Sequence, residues 1–210
     1  MARIGFNARQ YIPAEDRIVS FGTVDEDIKF SRIAGGLQWP NSLENQPGYA
    51  LIITEDIKVD ESIQLKHLRV VSEQEDQRID QLLFWCQSQE INIPIQCLLS
   101  WYADNTNRPS MEFVWALRKQ AQEGGRTGTL NISPPPYIDF KKDKKQLRNA
   151  FYLQNLRTYL AKEALHYSPE SKLNADLQDT DEKKFPNSVF ALAYVVSAMV
   201  TWPNTGRVME

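Results

Sequence analysis

Carboxylates at the ends of strand-like runs are the residues of this 210-residue chain best suited to chemistry. Asp104 is the best placed, because it closes IQCLLSWYA, a nearly continuous apolar run of the kind that fills the middle of an α/β sheet. Two or three such acids brought together could hold divalent ions, since Mg²⁺ prefers hard oxygen ligands. A pair of ions roughly 3.5–4 Å apart stabilises both the attacking and the leaving oxygen of a phosphodiester. Other chemistries lack their residues. The chain has no G-x-x-x-x-G-K-[ST] loop for nucleotide phosphates, no G-x-G-x-x-G opening a helix and no G-x-S-x-G elbow. His67 falls in a strand pattern and His166 at a helix end, without a further His or Cys at the spacing zinc needs.

A second candidate is basic. Lys141, Lys142, Lys144, Lys145 and Arg148 stand at the beginning of the longest helical pattern, where outward side chains could contact phosphates without reading sequence. Lysines at a helix N-terminus oppose the helix dipole, which sets a functional reason for them level with the reading of a merely solvated helix end. Trp101, Tyr102, Trp115, Phe151 and Tyr152 could stack on bases, although aromatics at such spacings more often belong to a core.

These side chains need elements to position them. RIAGGLQW (32–39), GYALIITEDI and SIQLKHLRVVSE read as three successive strands, with PNSLENQPG as the first connection. From Asp76 the period changes: Ile79, Leu82, Leu83 and Cys86 form one stripe of a helix that should end near Pro94. The strand ending at Asp104 follows, then a helix in SMEFVWALRKQAQ with Ser110 as its expected N-cap. TLNISPPPYIDF reads as extended, Lys141 to His166 as the long helix, SPESKLNADLQDTDEKKFPN as a polar loop and SVFALAYVVSAMV as a buried helix. The first thirty residues read as an arm or added edge strand, with a short strand in RIVSFGTV; 31–205 form the domain and 206–210 a tail.

Composition agrees with one α/β domain. Hydrophobic residues are 42% and charged residues 24%, as in ordinary globular chains, and the formal net charge is −3. No apolar run is long enough to span a bilayer, so a cytoplasmic protein is expected. Cys86 and Cys97 lie in apolar patterns, where reduced, buried thiols are the expectation.

Three meandering strands, a helix, a buried strand ending in an acid and further helices is the order of an RNase H-like mixed sheet flanked by helices. RIAGGLQWPNS, GYALIITEDI, QLKHLRVVSE, SWYADNTNRPSMEFVWAL and FPNSVFALAYVV together resemble the nuclease domain of the large terminase subunit of tailed phages, over roughly residues 32–201. The resemblance implies a phage or prophage protein of the host cytoplasm that contacts DNA and, if active, cuts it with Mg²⁺ or Mn²⁺ during DNA packaging. It also implies a separate ATPase or packaging subunit as partner, because this chain has no P-loop.

Residue by residue the site is degenerate. The family places acids in the first strand and before the last helix, where this chain has Gln38, and Asn187 with Ser188; Asp104 alone keeps its acid. Gln38, Asp104 and Ser188 are thus the positions of the catalytic set, with Asp104 as the metal ligand. Glu55 and Asp56, or Asp179 and Asp181, are the acids that could have migrated to replace the missing ligands. The alternatives are a non-catalytic DNA-binding or assembly module of the same fold, and an unrelated α/β interaction protein.

Overall fold

The computed structural model describes residues 18–19, 28–41, 44–59, 66–92, 100–124, 130–135, 145–178 and 185–201. β1 (Ile18–Val19) pairs antiparallel with β2 (Ile28–Gln38), which meets β3 (Gly48–Val59) and then β4 (Lys66–Asp76) in an antiparallel meander. α1 (Ile79–Asn92) crosses to β5 (Trp101–Tyr102), which lies parallel to β2 on its other side. α2 (Arg108–Glu123) leads to β6 (Ile132–Ser133), parallel to β5. The order β6-β5-β2-β3-β4-β7 is the RNase H-like arrangement anticipated above, with an added strand, β7 (Leu165–His166), beyond β4.

From Gly48 to Glu55, β3 is buried on both faces, which its apolar run from Tyr49 to Ile53 requires. Ala50 and Ile52 join the core beneath α1 and α2, whereas Tyr49, Leu51 and Ile53 face α3 (Lys145–Ala161) and α5 (Asn187–Thr201). α5 is apolar all round because it is enclosed: Ala191 through Met199 are buried between the sheet and α3. Gly36 lets α5 approach so closely, since a Cβ there would lie 2.1 Å from the Ala191 carbonyl oxygen. Gly35 faces the other way, against the Trp101 ring.

Several expectations are corrected. The first strand starts four residues earlier than Arg32, at Ile28, with an irregularity between Phe30 and Arg32. α2 is capped by Asn107, whose Oδ1 accepts from Ser110 N at 3.2 Å; Ser110 sits inside the first turn, with Pro109, whose missing N–H costs nothing there. The long helix stops at Ala161. Glu163 takes a left-handed conformation (φ 54°), Ala164 N reaches back to Tyr159 O, and the chain leaves as β7. The polar loop contains α4 (Lys172–Gln178), capped by Ser171 and held by buried Leu173. Trp101 and Tyr152 are core residues, whereas Trp115 is 56% exposed. Cys86 is buried, and Cys97 lies outside the described residues.

On the α1 side, Trp101 Nε1 donates to Glu90 Oε1 at 3.0 Å. Burial pushes the Glu90 carboxyl up to about 7, opposed by that hydrogen bond, by Arg118 and by the backbone of Asn131. The folded state therefore holds this proton more tightly than the unfolded chain. Its stabilising contribution is complete below the ordinary glutamate range and is lost as pH rises through about 7. Allowing for partial exposure, the loss should be of order 2 kcal/mol. Glu90→Gln should remove this slope, and urea unfolding between pH 5 and 8 would test it; parallel pH dependences in both proteins would refute the assignment.

Candidate functional site

The end of β2 is where the sequence-nominated residues meet. In the β2–β3 register Gln38 lies opposite Tyr49, and Tyr49 lies opposite Glu75 of β4. The parallel β2–β5 register pairs Gly36 with Tyr102, so two residues further along each chain bring Gln38 level with Asp104. Trp39 fastens this edge by donating its indole N–H to the Asp104 carbonyl at 2.7 Å. Asp104 itself opens a turn, its Oδ1 accepting from Thr106 N at 3.0 Å and Thr106 Oγ1 at 2.6 Å.

α5 starts over this row. Asn187 Nδ2 donates to Pro47 O at 2.7 Å and to Trp39 O at 3.3 Å, joining the helix start to the end of β2 and the turn before β3. Ser188 is 1% exposed, and its hydroxyl donates to Asp176 of α4. Two turns on from Asn187, Tyr194 lies beside Asp104: burial raises its phenol, the charges of Asp104 and Tyr152 add to the rise, and Arg148 opposes it. Asp104, Asn105, Arg148, Asn149, Tyr152 and Tyr194 line one small pocket, whose wall is fixed by the Tyr152 hydroxyl donating to Pro135 O at 3.0 Å.

The remaining nominated residues are placed as follows. Glu55 stands six residues along β3 from Tyr49, about 20 Å away at the usual strand rise, and its carboxylate is buried against the Arg32 guanidinium. That ion pair, rather than a metal-binding role at the β2 end, accounts for Glu55. Asp56 follows it in β3; Asp179, Asp181, Lys141, Lys142 and Lys144 lie outside the described residues. Lys145 is the first residue of α3, and Arg148, one turn on, reaches the Asp104 pocket.

Tyr49, Tyr194 and Asp176 were not nominated from sequence. Strand alternation from Leu51 would have put Tyr49 on the α5 face, and helical spacing from Asn187, seven residues earlier, puts Tyr194 on the same face of α5. Asp176 had no signal, because a seven-residue helix with one buried side chain shows no period.

The donors around Asp104 among the described residues do not fit two divalent ions. Gln38 Oε1 is buried and accepts no hydrogen bond from a described residue, so an oxygen is available, but an uncharged one. Asn187 turns its amide N–H toward carbonyls, and Ser188 is a donor to Asp176. Of the three nominated positions only Asp104 is a carboxylate, and it gives one negative charge where a pair of Mg²⁺ or Mn²⁺ ions needs several. Among the described residues no group of three or more His, Cys, Asp or Glu is disposed to hold a metal ion, and no helix is long and apolar enough to cross a membrane.

No family model matches the chain, and no curated protein matches it in sequence. Solved structures do match. The large terminase of a thermophilic bacteriophage superposes with a TM-score of 0.53 at 10% identity, over 89% of this chain and 43% of that one. The large terminase nuclease of thermophilic phage G20c, with bound zinc, gives 0.51 at 10% identity, over 84% of this chain and 88% of that one. The chain therefore spans less than half of the first relative and nearly all of the second, and it has the fold of the large-terminase nuclease.

Proposed function

We propose that this chain is a DNA-contacting module with the large-terminase nuclease fold, in which the Asp104 edge holds the DNA backbone and does not carry out two-metal cleavage. One observation carries the reading. The residues standing where the resemblance expects acids are occupied in joining the fold: Asn187 bridges Trp39 and Pro47, and Ser188 is bound to Asp176. An aspartate at 187 would set a carboxylate against two carbonyl oxygens. DNA as ligand rests on the resemblance, and Arg148 supports it by bringing a guanidinium, which suits phosphate, to the Asp104 pocket. Lys145, which opens α3, and Lys141, Lys142 and Lys144, which precede it in sequence, would add to that contact. A separate ATPase or packaging subunit would act beside this chain in the host cytoplasm.

Binding of duplex DNA across a salt series, beside supercoiled plasmid incubated with Mg²⁺ or Mn²⁺, tests both halves. Arg148→Ala should weaken binding equally for unrelated sequences and lower the salt slope by about 1, as loss of one phosphate contact does. Glu at the four lysines should flatten the slope further. Metal-dependent nicking that disappears in Asp104→Ala would overturn the non-cleaving reading. Absence of binding at low salt would instead leave a protein-assembly module.

A further inference from the structure

The only two histidines of the chain are 99 residues apart in sequence and meet at the sheet edge. His67 of β4 and His166 of β7 approach to 2.8 Å between Nδ1 and Nε2, with ring centroids 5.1 Å apart and planes 10° from parallel. The parallel β4–β7 register produces this by pairing Leu68 with Leu165 and Arg69 with His166. Leu68 and Leu165 face the α3/α5 core, so alternation puts both imidazoles on the other face. His166 is exposed and His67 half-buried, which leaves the pair reachable from solvent.

We infer that His67 and His166 form a two-imidazole site for one borderline transition-metal ion of the Zn²⁺ or Ni²⁺ class, which staples β7 to β4. Imidazole nitrogens bind zinc at about 2.0–2.1 Å, which in a tetrahedron sets two of them about 3.3 Å apart. Opening the present hydrogen bond by roughly half an ångström, with both rings swung so that their lone pairs converge on one point beside the N···N line, would seat an ion on Nδ1 of His67 and Nε2 of His166. That hydrogen bond already requires one of the two nitrogens to lack a proton, as a metal ligand must. Water completes the shell, so the ion binds reversibly. Mg²⁺ is excluded by its preference for oxygen. The staple would matter to β7, a two-residue strand whose place in the sheet rests on this single edge and on Leu68 N donating to Ala164 O. It is independent of the DNA-binding reading, since Asp104 lies across the sheet beyond β2 and β3.

With two histidines in the chain, imidazole C–H resonances report on the site directly. Zn²⁺ or Ni²⁺ should perturb both sets together and raise Tm, and Mg²⁺ should do neither. His67→Gln and His166→Gln, conservative changes at non-core positions, should each abolish the Zn²⁺-dependent rise in Tm, whereas Asp104→Asn should retain it. No perturbation of the imidazoles, a rise surviving in either His variant, or a rise lost in Asp104→Asn would overturn the proposal; the last would move the ion to the Asp104 edge.

Discussion

Gly36→Ala is expected to destabilise the protein by about 3 kcal/mol, the upper end of what overpacking costs, because the obstacle is backbone and not a movable side chain. The added methyl would sit 2.1 Å from Ala191 O and 2.9 Å from its carbonyl carbon, with Val195 Cγ1 at 3.1 Å. α5 can make room only by lifting from β2. Such a lift opens the core shared by Ala34, Leu51, Val195 and Val196 and draws Tyr194 and Asn187 away from the Asp104 edge. The denaturant midpoint should fall with little change in slope, and, on the DNA-contacting reading proposed above, DNA affinity should fall with it. A midpoint within error of wild type would show that α5 does not sit on Gly36 as described.

Arg32→Met is the second large effect, and it should exceed the reverse truncation of most surface ion pairs. Arg32 Nε donates to Glu55 Oε2 at 2.9 Å, its Nη2 also contacts that carboxylate, and the same nitrogen reaches Met199 O at 2.6 Å near the end of α5. Glu55 is only 1% exposed. Removing the guanidinium alone leaves a buried carboxylate without its cation, a loss of about 3–5 kcal/mol. Changing both partners, Arg32→Met with Glu55→Leu, removes the charge together with its need and should recover most of that loss. Equal instability of the single and double variants in urea would show that the pair contributes through shape alone.

The architecture was legible where period and composition agreed. The apolar run opening 48–59, the alternation in 66–76, the change to a helical stripe at Ile79 and the almost wholly apolar character of 189–199 each reflect burial that a side-chain pattern records directly. The misses share one cause, which is that short elements are fixed by contacts and not by their own pattern. β7 is two residues inside a sequence with helical spacing, and only the left-handed turn at Glu163 releases it. α4 buries one leucine. Serine before an apolar run points to Ser110 as the N-cap of α2, whereas proline in the first turn moves the start back to Asn107.

The site was legible in part. That the acid after β5 would come beside the end of β2 followed from element order. That Glu55 was spoken for by Arg32 did not, since their pairing depends on a register crossing an irregularity at Phe30/Arg32. The two histidines make the same point from the other direction: neither had a partner at ligand spacing along the chain, and sheet pairing supplied one.

The Asn187 bridge has a mechanical consequence. Its amide ties the start of α5 to the carbonyls of Trp39 and Pro47, and the Trp39 indole is tied in turn to the Asp104 carbonyl. One amide and one indole therefore couple the last helix, the end of β2, the turn before β3 and the segment after β5. A displacement of any one of these is passed to the other three, so this edge of the sheet moves as one piece or not at all.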